Sequence, residues 1–173
     1  FKDNPRVHPF PTALADYEGT SHFYMNANPV TNSLLKALPE GSRWTDQPGA
    51  LNPVTALEVP VTTLDSFLHQ HHIEQVDVLK VDCQGADLMV LKGGHKALSA
   101  GRIGVILVEL NFVPLYREQA SAKDIWDFME DCGYALFNFY GLATSPSGRV
   151  KWCDGLFVHK SLLAGHNPEQ EET

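Results

Sequence analysis

The stretch Val76–Gly94 constrains the fold of this chain more than any other. Val76 to Val81 is a β-branched, apolar run of strand length. Asp82-Cys83-Gln84-Gly85 interrupts it, and apolar residues then return at helical spacing. A buried strand that ends in an acidic turn and enters a helix is the beginning of a βαβ unit. In an open α/β sheet, ligands sit outside the carboxyl ends of such strands. The turn at 82–85 is therefore the first place to look for a site.

The remaining chain supplies neighbours for that strand. Val105-Ile106-Leu107-Val108 is the most apolar run and reads as a central parallel strand buried on both faces. Between the two, Ala86 to about Leu98 reads as a helix with Leu88, Leu91 and Leu98 near one face and a kink at Gly93-Gly94. Upstream, Arg6–Ala15 reads as an edge strand, because Pro9 and Pro11 have no N–H for a ladder. The turn Asp16–Gly19 would fold it into a hairpin with Thr20–Tyr24. Residues 26–53 carry prolines and glycines without periodicity and read as a flap or insertion. Leu57–Val61 reads as strand, and Thr63 caps a helix from Leu64 to about His71.

Downstream, Ser121–Asp124 is a capping box opening a helix that presents Ile125, Phe128, Met129 and Cys132, with Gly133 at its end. Tyr134–Tyr140 and Cys153–His159 are the last strands. The link Gly141–Trp152 shows no helical pattern, so this pair is expected to be antiparallel. Together these elements predict one α/β domain over residues 1–160, a mostly parallel sheet with an antiparallel last strand, followed by a polar tail at 161–173.

Charge and composition remove several classes. The 13 Lys+Arg against 21 Asp+Glu leave a net charge of −8 with no basic cluster, so a nucleic-acid partner is not expected. No apolar run approaches the roughly 20 residues that span a bilayer, so no membrane span is expected. No secretory leader is apparent, and the start at Phe1 rather than Met predicts a piece of something longer. Cys83, Cys132 and Cys153 form no Cys-x-x-Cys pair, which predicts reduced thiols and a cytoplasmic setting.

The run Lys80-Val-Asp-Cys-Gln-Gly-Ala-Asp-Leu-Met-Val-Leu-Lys-Gly93 resembles the signature of the FkbM family of S-adenosylmethionine-dependent methyltransferases. Further segments match that family in order and spacing. They are Thr12-Ala-Leu-Ala-Asp16, Glu18-Gly19, Val61-Thr-Thr-Leu-Asp65, Glu109, Gly133-Tyr134 and Asp154-Gly-Leu-Phe-Val158. The resemblance implies a Rossmann-like class I methyltransferase fold, S-adenosyl-L-methionine as cofactor, and O-methylation of a hydroxyl on a sugar, polyketide or other small molecule. The family's glycine-rich turn after its first strand and the acidic residue ending its second have no counterpart here. The chain is thus read as the later part of the domain, lacking its first strands.

On this reading Asp82 and Glu109 are the catalytic carboxylates, since a carboxylate within reach of a hydroxyl can take its proton as the new bond forms. The resemblance assigns cofactor contacts to Ala13, Asp16, Asp82 and Gln84. Gln84, Gly85, Asn111 and Phe112 would line the acceptor side. Each has a plainer alternative. Asp82 and Gln84 are suited to capping the following helix. Glu109 could pair with Lys80 on the adjoining strand, and Asn111 and Phe112 could simply pack a strand end. Ala13–Asp16 could be only a turn. Cys83 reads as a small filler rather than a nucleophile. His69, His71 and His72 lack an acidic or thiolate partner at metal-site spacing, so no metal is expected and a solvated cluster is the better reading. Trp44 could close over an acceptor or anchor its loop.

Two rival functions remain open at this level. One is a non-catalytic, truncated module acting through an exposed sheet edge, with homo-oligomerisation possible. The other is a different Rossmann-like enzyme with a nucleotide cofactor.

Overall fold

The structure, a computed structural model, describes residues 4–163. Seven strands form two sheets. Strands β1 (Ala13–Ala15), β2 (Gly19–Asn26) and β3 (Pro53–Thr63) make a three-stranded sheet in the order β1-β3-β2. Strands β4 (Val76–Val81), β5 (Ile103–Asn111), β6 (Tyr134–Thr144) and β7 (Val150–His159) make a second sheet in the order β4-β5-β7-β6. Helices α1 (Leu64–Gln70), α2 (Asp87–Gly93), α3 (His95–Ser99), α4 (Ala122–Asp131) and α5 (Lys160–Leu163) connect and cover them.

The mixed α/β class matches the sequence reading, but the single, mostly parallel sheet does not. Only β1·β3 and β4·β5 pair in parallel; β2·β3, β5·β7 and β6·β7 are antiparallel. β7 lies between β5 and β6 and runs against both, which agrees with the expected antiparallel close.

The expected hairpin of the first two strands is also corrected. Both instead flank β3, with Ala13 opposite Val61 in parallel and Phe23 opposite Leu57 in antiparallel register. Residues 6–12 are not strand, since the ladder begins only after Pro9 and Pro11, whose nitrogens carry no proton to donate. Strand β3 is longer than Leu57–Val61, because it must span both neighbours.

Strand β5 is the central strand, with no exposed position along its length. Strand β4 is instead an edge strand among the described residues, and its Val78 is 64 % exposed. The main core lies between the second sheet and the helices. Val81, Leu91, Leu98, Ile106, Met129 and Phe157 are buried there. Full burial of each such side chain stabilises the fold by about 1.5–3 kcal/mol.

The Gly93-Gly94 pair has a steric cause. A Cβ on Gly93 would stand 2.0 Å from the Ala15 carbonyl oxygen, and one on Gly94 2.6 Å from Leu64 Cδ2. The helix therefore breaks at Gly94, so the expected helix from Ala86 to Leu98 is two helices. The Asp65 carboxylate accepts the amides of Lys96 and Ala97 at 3.0 and 2.9 Å, capping α3 as a helix of its own. The capping box at Ser121 and Asp124 forms as expected, with the Ser121 hydroxyl accepting the Asp124 amide.

The flap at 26–53 has structure of its own. Two 3₁₀ turns, Pro29–Thr31 and Pro39–Trp44, lie within it. Its ends are closed by Ala27 N–H to Asn52 O at 2.9 Å and Asn28 N–H to Ala50 O at 3.1 Å. Around Leu51, Val113, Leu115 and Tyr116 it builds a second, smaller core. Trp44 packs on that core with the guanidinium groups of Arg43 and Arg149 over its ring, so it anchors the loop. The expected tail begins with α5, and residues 164–173 lie outside the described residues.

Candidate functional site

Two turns at the carboxyl ends of β4 and β5 and the inner side of the flap enclose a cavity of about 690 Å³. Its chemistry starts in the 82–85 turn. Asp87, 1 % exposed, accepts Cys83 N–H on Oδ1 and Gly85 N–H on Oδ2, each at 3.0 Å. Burial, despite those backbone donors, raises the Asp87 pKa above the ordinary carboxylate value. This clamp curls the chain so tightly that Gln84 takes a left-handed backbone conformation, φ 51°. Such a position in a non-glycine residue is strained and persists only where its surroundings fix it. Here they do. Ser33 Oγ donates to the Gln84 carbonyl at 2.8 Å, and Gln84 Nε2 donates to Asp82 Oδ1 at 2.8 Å. The Tyr116 hydroxyl lies 3.1 Å from Gln84 Oε1 and 2.9 Å from the Thr31 carbonyl, sharing its one proton between them. Gly85, with φ 89°, passes beneath the Tyr116 ring, where a Cβ would stand 3.0 Å from Tyr116 Cδ2.

Glu109 reaches the same cavity from β5. Its pKa is pushed up to about 7, first by burial and then by the negative charges of Asp82, Asp87 and Asp154; the Asn111 Nδ2 bond at 3.0 Å opposes the rise. The pairing of Glu109 with Lys80 is not formed. Lys80 Nζ instead lies 2.7 Å from Asp154 and 3.7 Å from Asp82. Burial disfavours the charge on Lys80, yet the Asp154 bond and Asp82 outweigh it and raise its pKa.

Asp82, Gln84 and Glu109 therefore line one cavity, and Asp46 adds a third carboxylate from the flap, one already bonded to Lys151 Nζ at 2.7 Å. Asn28, Asn32, Thr45 and Gln47 of the flap add amides and a hydroxyl to the lining, with Phe23 and Trp152 as its other aromatic members beside Tyr116. No basic side chain lines it among the described residues. A hydroxyl held between Asp82 and Glu109 would find a proton acceptor poised near neutrality, and a cation would find compensating charge.

Other residues singled out by sequence lie elsewhere. Asn111 is buried behind Glu109 and, with Phe112, lines a neighbouring cavity. Ala13 lies in β1 of the other sheet and Asp16 in the bend just after it, and neither lines the cavity. The carboxyl end of β1 meets α2 at Gly93, about 10 Å along the helix from the turn. Cys83 is held as a neutral thiol, its pKa pushed up to about 12 by burial and by Asp87. His71 stacks against Phe67 and Phe10.

Sequence reasoning missed Asp87, Ser33 and Tyr116. Asp87 carried a usable signal, an acidic residue in the first helical turn after a glycine. Ser33 and Tyr116 carried none, since both sit in irregular segments joined only by tertiary contact.

A family model described as the methyltransferase FkbM domain matches residues 2–136, most of the chain. The match stops in β6, so the likeness read at Asp154–Val158 lies outside it. No curated protein and no solved structure compared with the chain matches it. No helix among the described residues is long and apolar enough to cross a membrane.

Proposed function

The chain belongs to the FkbM methyltransferase family, and on that premise we propose that it takes part in S-adenosyl-L-methionine-dependent O-methylation of a polyhydroxylated small molecule such as a sugar. The observation that carries the reading is the convergence of Asp82, Gln84 and Glu109 on one polar, acidic cavity at the carboxyl ends of β4 and β5. The residues present fit a positively charged cofactor through Glu109, which has no ionic partner among the described residues, and Asp82, whose contact with Lys80 is long at 3.7 Å. When bound, the cofactor supplies an electrophilic methyl on a sulfonium.

The protein's own part is to orient the acceptor hydroxyl and receive its proton. Glu109 is the proton acceptor, since burial brings its pKa close to working pH. Asp82 orients the hydroxyl and is itself oriented by Gln84 Nε2. The amide- and hydroxyl-rich flap wall favours an acceptor with several hydroxyls over an apolar one, and its carboxylates disfavour an anionic one. Holding the reactants in such a geometry is worth up to about 7–11 kcal/mol of the barrier. The three free cysteines are in keeping with a reducing, cytoplasmic setting.

The test is transfer of isotope-labelled methyl from S-adenosyl-L-methionine to a panel of sugars and polyols. Asp82→Asn and Glu109→Gln should lower turnover, the latter by about 10²–10⁴. Label transfer that neither substitution affects would remove both residues from the reaction.

A further inference from the structure

A second cavity, about 570 Å³, opens on the other side of Leu51, whose side chain borders both. Its character is opposite to the first. Leu38, Pro39, Pro53, Val54 and Ala56 give it apolar walls, Lys36 and Arg117 supply positive charge, and no acidic residue lines it. The two cations are brought together by backbone pairing. Ala37 bridges Tyr116 in antiparallel register, Leu38 N–H donates to Leu115 O at 2.8 Å, and Arg117 N–H donates to Lys36 O at 2.8 Å. Lys36 and Arg117 therefore stand directly opposite one another on the same face.

Like charges directly opposed across a strand pair are destabilising. Neither side chain has a carboxylate partner among the described residues, although the chain carries a net charge of −8. The Lys36 ammonium rests 5.4 Å from the centre of the Tyr24 ring at the cavity wall. The pair is thus an uncompensated positive site beside an apolar surface.

We propose that this cavity binds an amphipathic anion, a phosphate, sulfate or carboxylate on an apolar body, with Lys36 and Arg117 holding the charged head. The site is separate from the carboxylate-lined cavity, and binding to it can be measured without methyl transfer.

Octyl phosphate, octanol and inorganic phosphate titrated calorimetrically into the full chain distinguish the contributions of head and body. Octyl phosphate should bind, and Lys36→Ala with Arg117→Ala should weaken it about tenfold or more, the scale of a lost charge-assisted hydrogen bond. Lys36→Glu, which reverses the charge at the cavity, should abolish that binding. Octanol or inorganic phosphate binding as tightly as octyl phosphate would overturn the proposal. So would undiminished octyl phosphate binding in the double variant or in Lys36→Glu.

Discussion

Glu109 stands directly across the β5–β7 ladder from Asp154, and Lys80, the cation beside them, is bonded to Asp154 at 2.7 Å. Two carboxylates thus face each other, and the one in the cavity is left without an ionic partner. The Asn111 amide is its single hydrogen-bond donor among the described residues. Burial above all, and the neighbouring carboxylates after it, push the Glu109 pKa up to about 7, with no counter-charge to offset them.

This has a consequence for stability with a definite sign. A carboxyl whose pKa rises on folding keeps a proton that the unfolded chain releases. Its contribution is intact below about pH 4.5 and is lost as pH climbs to about 7. Glu109→Gln, which cannot ionise, should therefore unfold later than the parent at pH 8, by roughly 2–3 kcal/mol. The two should converge near pH 4.5. Thermal unfolding across a pH series measures this, and a gap that does not change with pH would contradict it.

Asp87→Asn should loosen the 82–85 turn. The carboxylate serves two backbone amides, one on each oxygen, whereas an amide side chain has one acceptor and would turn an N–H toward the other donor. A loss of about 1–3 kcal/mol is expected in urea unfolding. Amide exchange should also speed up at Cys83 and Gly85.

How far sequence reached is visible at this turn. The strand Val76–Val81, the break at Gly85 and the carboxylates of Asp82 and Glu109 were legible, because alternation, glycine and burial leave local marks. The three-stranded sheet was not. Arg6–Ala15 and Thr20–Tyr24 read as a hairpin because only the turn Asp16–Gly19 separates them, and nothing local says that β3, starting at Pro53, inserts between them. The inner wall was equally hidden, since Ser33 reaches the 83–84 carbonyls across some fifty positions of chain.

Gly93→Ala should be severe. The new methyl would meet a backbone oxygen at 2.0 Å, an atom that cannot rotate aside, so α2 must lift from β1. Overpacking of this kind costs about 1–3 kcal/mol or more. The midpoint of chemical unfolding should fall accordingly, and an unchanged midpoint would show that the two elements separate freely.

Tyr116→Phe removes the hydroxyl between Gln84 and Thr31 while keeping the ring over Gly85. Stability should fall by about 1 kcal/mol. In methyl-transfer assays KM for the acceptor should rise more than kcat falls, because the flap wall loosens while Glu109 stays in place. A loss confined to kcat would instead put the tyrosine in the chemical step.

Ser33 and Tyr116 tie the insertion to the motif turn itself, through the carbonyls of Cys83 and Gln84 and the side chain of Gln84. The shape of the flap and the shape of the 82–85 turn are thereby coupled. A different loop grafted onto this scaffold would meet Tyr116 already in place after β5, but would need its own counterpart of Ser33 and of the Thr31 carbonyl to keep the 82–85 turn in its present shape.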